Sequence, residues 1–152
     1  KKKKIKELED NILLFNTSMF RNSSSVERKK IETLKDKIHL YDKLKYFVAE
    51  SENILTSSNN EKDFGFLLND YWNLKKKLSS GVSNLTINEI YKTATENGAI
   101  GGKILGAGGG GYLMLYCQKK NQKKLIKSLN KLNYVKIRLS NSGSQIIKDI
   151  KI

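Results

Sequence analysis

The sequence predicts an α+β fold in which an antiparallel sheet carries its helices packed on one face. Two short apolar runs, at residues 12–15 and 113–117, are typical of buried strands. Between them, apolar residues recur every three or four positions over three long stretches, as in amphipathic helices. A glycine-rich segment separates the second of these runs from a shorter apolar run at residues 104–105 and predicts a hairpin.

The first half of the chain is predicted to be mostly helical. Residues 1–10 are charged and are expected to lead into a strand at residues 12–15. Ser24 and Glu27 have capping-box spacing and predict the start of a helix. The same helix is expected to continue as one long helix, with a single apolar stripe formed by Ile31, Leu34, Ile38, Tyr41, Leu44 and Val48.

Two more helices are predicted before the glycines. The first spans residues 64–78, with Trp72 packing at its edge, and ends near residues 79–81. The second is expected to start with Thr86 as its N-cap and Glu89 closing a capping box, and to end at Asn97-Gly98. After the glycines, we expect a helix with an inner face of Leu125, Ile126, Leu129 and Leu132, an alternating strand at residues 134–139, and a last strand at residues 146–152.

Composition excludes several classes of protein. The 152 residues suggest one domain, and the single cysteine, Cys117, rules out an internal disulfide and favours the reducing cytoplasm. No apolar run approaches the ~20 residues that cross a bilayer, so no membrane partner is expected. The lone His39 and Cys117 cannot form a usual zinc site. We expect His39 to be solvated and Cys117 to be a small buried hydrophobe.

The net charge of +14 is unevenly distributed. Residues 97–148 carry ten basic residues and no Asp or Glu, which favours attraction to anions unless the lysines only form solvated faces. Nucleic-acid modules usually add arginine and exposed aromatic residues. This chain has only three arginines, and most of its aromatic residues occupy core-like positions. A nucleic-acid partner is therefore not expected.

Eight of the 11 glycines lie between Gly98 and Gly111, and GAGGGG contains the pattern G-x-G-x-x-G. A dinucleotide-binding fingerprint also needs a following helix and an acidic residue about 20 positions later. Here a strand-like run follows, and no acid occurs between Glu96 and Asp149. A Walker A loop also fails, because no Gly-Lys-Ser/Thr follows.

The glycine loop instead predicts a phosphate site, or a contact with a neighbouring loop that holds phosphate. A hairpin alone needs fewer glycines, since each one costs backbone entropy. The candidate phosphate-binding residues are Gly106, Ala107, Gly108, Gly109 and Gly110, with Lys103 as a nearby cation unless it is simply solvated. This segment offers no catalytic base and no metal ligand, because it lacks carboxylates.

These residues also resemble a known family. KILGAGGGGYLML (residues 103–115), with ATENGAIGG before it, resembles the third motif of the GHMP kinases, which include galactokinase, homoserine kinase and mevalonate kinase. Three further stretches are similar to sugar kinases of the D-glycero-D-manno-heptose 7-phosphate kinase type: ELEDNILLFNTSMFRNSSSVERKK (residues 7–30), LLNDYWNLKKKLSSGVSN (residues 67–84) and NSGSQII (residues 141–147).

The resemblance implies that residues 1–152 form a ferredoxin-like C-terminal domain of a two-domain kinase that uses ATP and Mg²⁺. The N-terminal domain, with its ATP loop, acidic residue and metal ligands, is expected to be absent from this chain. By position, Gly106 to Gly110 would line the nucleotide phosphates. Thr17, Arg21 and Ser23 would bind the sugar phosphate, although Arg21 could equally be a surface arginine.

The implied reaction is phosphorylation of a heptose 7-phosphate at its anomeric hydroxyl, in the synthesis of nucleotide-activated heptose. The chain alone is expected to be inactive. Two alternatives stay open, namely another small-molecule kinase of the superfamily and a non-catalytic basic binding module.

Overall fold

The computed structural model describes residues 2–20, 23–57, 60, 62–140 and 142–144. In this part of the chain the elements run in the order α1 (Lys2–Asn11), β1 (Ile12–Asn16), α2 (Ser23–Glu32), α3 (Ile38–Ser57), α4 (Asp63–Lys75), α5 (Leu85–Glu96), β2 (Gly101–Ile104), β3 (Tyr112–Tyr116), α6 (Lys119–Ser128) and β4 (Asn133–Val135). The predicted α+β class is confirmed.

The strands form one antiparallel sheet in the order β2-β3-β1-β4. Ile12 pairs with Tyr116 and Asn16 with Tyr112, so the end of β1 lies beside the start of β3. β2 pairs with β3 on the other side, with Ile104 opposite Leu113. This register places the glycine segment, which joins β2 to β3, at the same end of the sheet as the residues that follow β1.

One face of the sheet carries the main hydrophobic core. Leu13 and Phe15 of β1 lie with Leu113 and Leu115 of β3 in this cluster, because alternate residues of a strand point to the same face. Helices α5 and α6 cover them with Ile87, Tyr91, Ala94, Leu125 and Leu129.

A smaller cluster lies on the opposite face. Ile12 and Tyr116 are its buried strand residues, and Leu68 of α4 packs against them. Leu8 of α1 and Phe64 of α4 are partly buried against the same cluster. Apolar side chains therefore cover both faces, although the larger core lies beneath α5 and α6.

The charged residues at the start of the chain form helix α1, which leads into β1. Lys6 pairs with Asp10 one turn later, at 3.1 Å, and Asp10 also pairs with Lys119 of α6 at 2.8 Å. Leu8 supplies the apolar contact with the smaller cluster. The segment that leads into β1 is thus helical, and surface ion pairs accompany its apolar contact.

The predicted single long helix is divided into α2 and α3, with a short 3-10 helix at Lys35–Lys37 between them. At the break, Thr33 Oγ1 donates to the carbonyl of Lys29, and Lys37 Nζ donates to the carbonyl of Leu78 after α4. The expected buried stripe is also wrong, since Ile31 and Val48 are each 71% exposed and α3 has no buried residue.

Trp72 lies in the main core rather than at the edge of its helix. Its side chain is 0% exposed and belongs to the main core, where its ring packs against that of Tyr91. The buried residues of α4 are Gly65, Leu68, Trp72 and Lys75. The face of α4 that meets the core therefore includes Trp72 and also a lysine, Lys75.

The cap of α5 differs by two residues from the prediction. Asn84, rather than Thr86, is the N-cap, and its side-chain oxygen accepts from the N–H of Ile87 at 2.9 Å. The predicted end is confirmed, because α5 ends at Glu96 and Gly98 follows with a φ of 106°.

The last predicted strands are only partly tested. β4 covers Asn133–Val135, pairs with β1, and is shorter than the alternation over residues 134–139 suggested. The strand predicted at residues 146–152 lies outside the described residues. Among the described helices, none combines the length and apolarity required to cross a bilayer.

Candidate functional site

The glycine loop Gly106–Gly111 joins β2 to β3 in a backbone conformation that glycine favours. Gly106, Gly108 and Gly109 have φ angles of 69°, 108° and 76°, in the left-handed region. Residues with a Cβ rarely adopt these angles without strain. The loop is therefore a shaped connection rather than a minimal hairpin turn.

Two of its glycines are also required by close backbone neighbours. A Cβ on Gly108 would lie 2.6 Å from both the Cα and the carbonyl oxygen of Val82, in the loop between α4 and α5. A Cβ on Gly110 would lie 2.6 Å from the carbonyl oxygen of Met19. The protein's own segments thus account for part of the glycine content that suggested a phosphate.

Backbone hydrogen bonds fix the loop between these segments. The N–H of Gly109 donates to the carbonyl of Val82 at 2.8 Å, and that of Gly111 donates to the carbonyl of Met19 at 3.3 Å. Thr17 donates both its N–H (2.9 Å) and its hydroxyl (2.7 Å) to the carbonyl of Gly111. Three segments distant in sequence therefore meet at one end of the sheet.

Lys75 is a component of the loop's support that the sequence analysis missed. It is 6% exposed, and its Nζ donates to the carbonyl of Gly106 at 2.7 Å. A charged donor gives a stronger hydrogen bond than a neutral one. Its spacing from Leu68 and Trp72 places it on the buried face of α4, and that spacing is the signal by which it could have been found.

One side of the loop retains unused donors. Within the described part of the chain, the N–H groups of Gly106, Ala107 and Gly108 have no hydrogen-bond acceptor. Successive N–H groups in left-handed turns form concave sites for anions. Asn84, which caps α5, donates to the carbonyl of Gly109 at 3.4 Å, so the positive end of this helix dipole also lies near the loop.

Lys103 is not brought to these donors. Its Nζ lies 4.4 Å from the centre of the Tyr71 ring, in a cavity bordered by α3 and α4. Burial lowers the pKa of its ammonium group below the usual value. The cavity has no wall formed by the glycine loop, so the predicted role of Lys103 beside bound phosphate lacks structural support.

The predicted sugar-phosphate residues have different outcomes. Thr17 is 7% exposed, contacts the loop, and borders a cavity of about 440 Å³ between α5 and the end of α6. Glu89 and Lys131 also line this cavity. Arg21 lies outside the described residues. Ser23 begins α2, and the structure does not describe its side chain.

The residues around the loop do not fit a metal site. Among the described residues, no group of three His, Cys, Asp or Glu side chains is placed to hold a metal ion. The loop's contacts are made by carbonyl, amide and hydroxyl groups and by Lys75. No step of a reaction is therefore assigned to Mg²⁺ at these residues.

The remaining candidate residues lie away from the loop. His39 is exposed on α3. Cys117 is fully buried at the end of β3, and burial raises the pKa of its thiol to about 11, so it remains protonated at neutral pH. Helix α6 begins beyond the opposite end of β3 from the loop, and the residues at its C-terminal end border the cavity beside Thr17.

Comparison with known proteins shows the class to which this fold and loop belong. Residues 52–143 match the family model described as "GHMP kinases C terminal". This match covers the glycine loop, α4, α5 and α6. The chain belongs to the GHMP kinase C-terminal family.

Individual relatives agree with this assignment. The chain is 33% identical over 128 residues to D-glycero-alpha-D-manno-heptose 7-phosphate kinase of Campylobacter jejuni, a match covering 82% of this chain and 37% of that protein. It is 33% identical over 116 residues to a galactokinase of Candida albicans, covering 65% of this chain and 22% of that protein. It thus spans well under half the length of these relatives.

Solved structures confirm the fold. The mevalonate kinase of Methanococcus jannaschii superposes with a TM-score of 0.71 at 22% sequence identity, covering 91% of this chain and 43% of that one. The α+β fold with its four-stranded antiparallel sheet is therefore shared with GHMP kinases.

Proposed function

We propose that this chain forms the second half of an ATP-dependent sugar-phosphate kinase, in which the glycine loop contacts the nucleotide phosphates. The observation that carries the proposal is the loop itself. It is held by Val82, Met19 and Lys75, yet it leaves the N–H groups of Gly106, Ala107 and Gly108 without an acceptor in the described chain. Such donors suit phosphate oxygens.

The loop's rigidity supports this role. Phosphoryl transfer depends mainly on positioning and on stabilising charge, so the donors must hold their place before ATP binds. Hydrogen bonds from Gly109 and Gly111 to neighbouring loops provide that preorganisation. Ala107 would lie with Gly106 to Gly110 along the phosphates, as the family resemblance implies.

The acceptor is proposed to bind on the Thr17 side of the loop. The cavity of about 440 Å³ there includes the hydroxyl groups of Thr86 and Thr93 and the cation of Lys131. Hydroxyl groups suit a polyol, and a lysine suits its phosphate. Arg21 and Ser23 are proposed to contribute to the same phosphate contact.

The preferred acceptor is D-glycero-D-manno-heptose 7-phosphate, phosphorylated at its anomeric hydroxyl in the synthesis of nucleotide-activated heptose in the cytoplasm. At the same 33% identity, the match to the Campylobacter jejuni kinase covers 82% of this chain and the match to the galactokinase covers 65%, which supports that choice over galactose. A partner domain outside this chain would supply the main ATP loop, the acidic residue near the acceptor and the ligands of Mg²⁺.

The proposal is tested with the intact protein and a panel of acceptors: heptose 7-phosphate, galactose and mevalonate, each with ATP. We expect ADP release to be fastest with heptose 7-phosphate. Gly108→Val should abolish release, because its side chain would collide with the backbone of Val82. Gly143→Ala is the matched control, since a Cβ there has open space.

Other results would contradict the proposal at different levels. Faster turnover of galactose or mevalonate would reject a sugar phosphate as the acceptor but would still support kinase activity. Unchanged turnover in a folded Gly108→Val variant would reject the role of the loop. Measurable turnover by residues 1–152 alone would show that the partner domain is not needed.

A further inference from the structure

A second cavity, of about 350 Å³, lies away from the glycine loop, between α3, α4 and the sheet. Helix α3 contributes Phe47 and Ser51, α4 contributes Leu67 and Tyr71, and the strands contribute Lys103 and Met114. Its volume is at the lower end of the range, about 300–1,000 Å³, that is typical of small-molecule sites. The function proposed above makes no use of it.

The walls of this cavity are largely apolar and well packed. The rings of Phe47 and Tyr71 meet edge to face, with their centres 5.7 Å apart. Met114 lies directly opposite Lys103 in the β2–β3 register. Ser51, the one hydroxyl that α3 contributes, donates to the carbonyl of Phe47 at 2.6 Å, so its hydrogen is already bonded within the helix.

Lys103 provides the single charged group in this cavity wall. Its Nζ lies over the face of Tyr71, 4.4 Å from the ring centre, a contact that orients the ammonium but leaves its charge uncompensated. Within the described chain, no carboxylate forms an ion pair with it. An unpaired, half-buried cation among apolar side chains is stabilised by an anion.

We propose that this cavity binds an amphipathic monoanion, with a carboxylate on Lys103 and an apolar chain or ring against Phe47, Leu67 and Met114. The carboxylate would complete the ion pair that the protein leaves open, and the apolar part would displace water from the aromatic walls. A nucleotide or a sugar phosphate does not fit this description, because its polar surface would lie against apolar side chains. The cavity is therefore a site separate from the one proposed for phosphoryl transfer.

The first experiment compares matched probes on the intact protein by titration calorimetry: octanoate, octan-1-ol and octyltrimethylammonium. The three share an eight-carbon chain and differ in the charge of the head group. We expect octanoate to bind at least about tenfold more tightly than octan-1-ol, because of the charged hydrogen bond, and the cation to bind least. Equal affinities for octanoate and octan-1-ol would overturn the proposal.

Variants test whether Lys103 is responsible for the preference for octanoate. Lys103→Met keeps an unbranched side chain of similar length and should remove the preference for octanoate over octan-1-ol. Lys103→Arg should retain it. Lys92→Met, which removes an exposed lysine of α5, is the control and should bind as the wild type does. Preserved octanoate preference in a folded Lys103→Met variant would reject the proposal.

The methyl groups of the chain's two methionines locate the probe. In intact protein with labelled methionine methyl groups, octanoate should shift the NMR resonance of Met114. The resonance of Met19, which borders the cavity beside Thr17, should stay unchanged. ATP should not shift Met114, so a failed kinase proposal and a failed cavity proposal give different results. A Met114 shift that depends on protein concentration, without octanoate, would assign the cavity to self-association instead.

Discussion

Lys75 and Lys103 are both withdrawn from solvent, but they serve different parts of the molecule. Lys75 is 6% exposed and donates to the carbonyl of Gly106, so its charge stabilises the protein's own loop. Lys103 is half-buried over Tyr71 and has no carboxylate partner among the described residues. The role of a buried lysine is therefore defined by the group that its Nζ contacts, and not by burial alone.

The largest effect is expected at the loop that Lys75 supports. Gly108→Val would place a Cβ 2.6 Å from the backbone of Val82, at a φ of 108°. Strain and overpacking together should lower the free energy of unfolding by about 3 kcal/mol. Urea denaturation checks this, and Gly143→Ala should differ little from the wild type. A Gly108→Val loss below about 1 kcal/mol would mean that the loop is not held against Val82.

Removing the buried cation should have the next largest effect. Lys75→Met leaves the Gly106 carbonyl without its charged donor, and we expect a loss of about 2 kcal/mol. Amide exchange should quicken at Ala107 and Gly108 as the loop loosens. The neighbouring Lys77→Met, on an exposed side chain, is the control. Equal losses in the two variants would mean that the hydrogen bond from Lys75 to Gly106 does not stabilise the protein.

The cap of α5 tests a weaker support of the same loop. Asn84→Ala removes the acceptor of the Ile87 N–H and the donor to the Gly109 carbonyl, and should cost about 1 kcal/mol. Thr86→Ala is the matched control, because Thr86 lies inside the helix. Thermal unfolding distinguishes the two. A larger loss of stability in the Thr86 variant would indicate that Thr86, as the capping-box pattern predicted, is the N-cap.

The smallest effect, with the opposite sign, is expected at Lys103. The pKa of Lys103 is lowered by burial, so just below 10.5 the unfolded chain binds more protons than the folded one. The cost of burying the charge is therefore fully present below the folded pKa and disappears as pH rises towards 10.5. Lys103→Met should be the more stable protein at pH 7, by less than about 1 kcal/mol.

This pH dependence is measured as the difference in unfolding free energy between the wild type and Lys103→Met. The difference should shrink as the pH rises towards 10.5. Groups such as Cys117, whose pKa is about 11, change both proteins equally and cancel. A difference that grows with pH would contradict the burial of the Lys103 charge.

Local patterns predicted the regular elements well and their tertiary roles poorly. The runs at β1 and β3, the end of α5 at Gly98 and the glycine hairpin were all recognisable, because they depend on neighbouring residues. The resemblance to GHMP kinases is confirmed by the family match. By contrast, α1 lacks a strong apolar stripe, and ion pairs such as Lys119 with Asp10 involve residues far apart in sequence.

The candidate site was predictable only in its centre. The loop glycines were identified, but the carbonyls of Val82 and Met19 that hold them leave no mark in the sequence around residues 106–111. Lys75 lies in a run of three lysines. Only its spacing of three residues from Trp72, on the buried face of α4, distinguishes it from its neighbours. The position of Lys103 could not be deduced, because the residue alternation on β2 does not reveal which face meets α3.

The hydrogen bond from Thr17 to Gly111 joins residues 94 positions apart, and that from Lys75 to Gly106 joins residues 31 apart. Contacts of such long sequence separation form late when a domain folds, because a large loop must close first. The glycine loop is therefore expected to acquire its native conformation only after β1 has paired with β3. During refolding, helix content should return before the loop's amide protons become protected, and any nucleotide binding should follow the slower step.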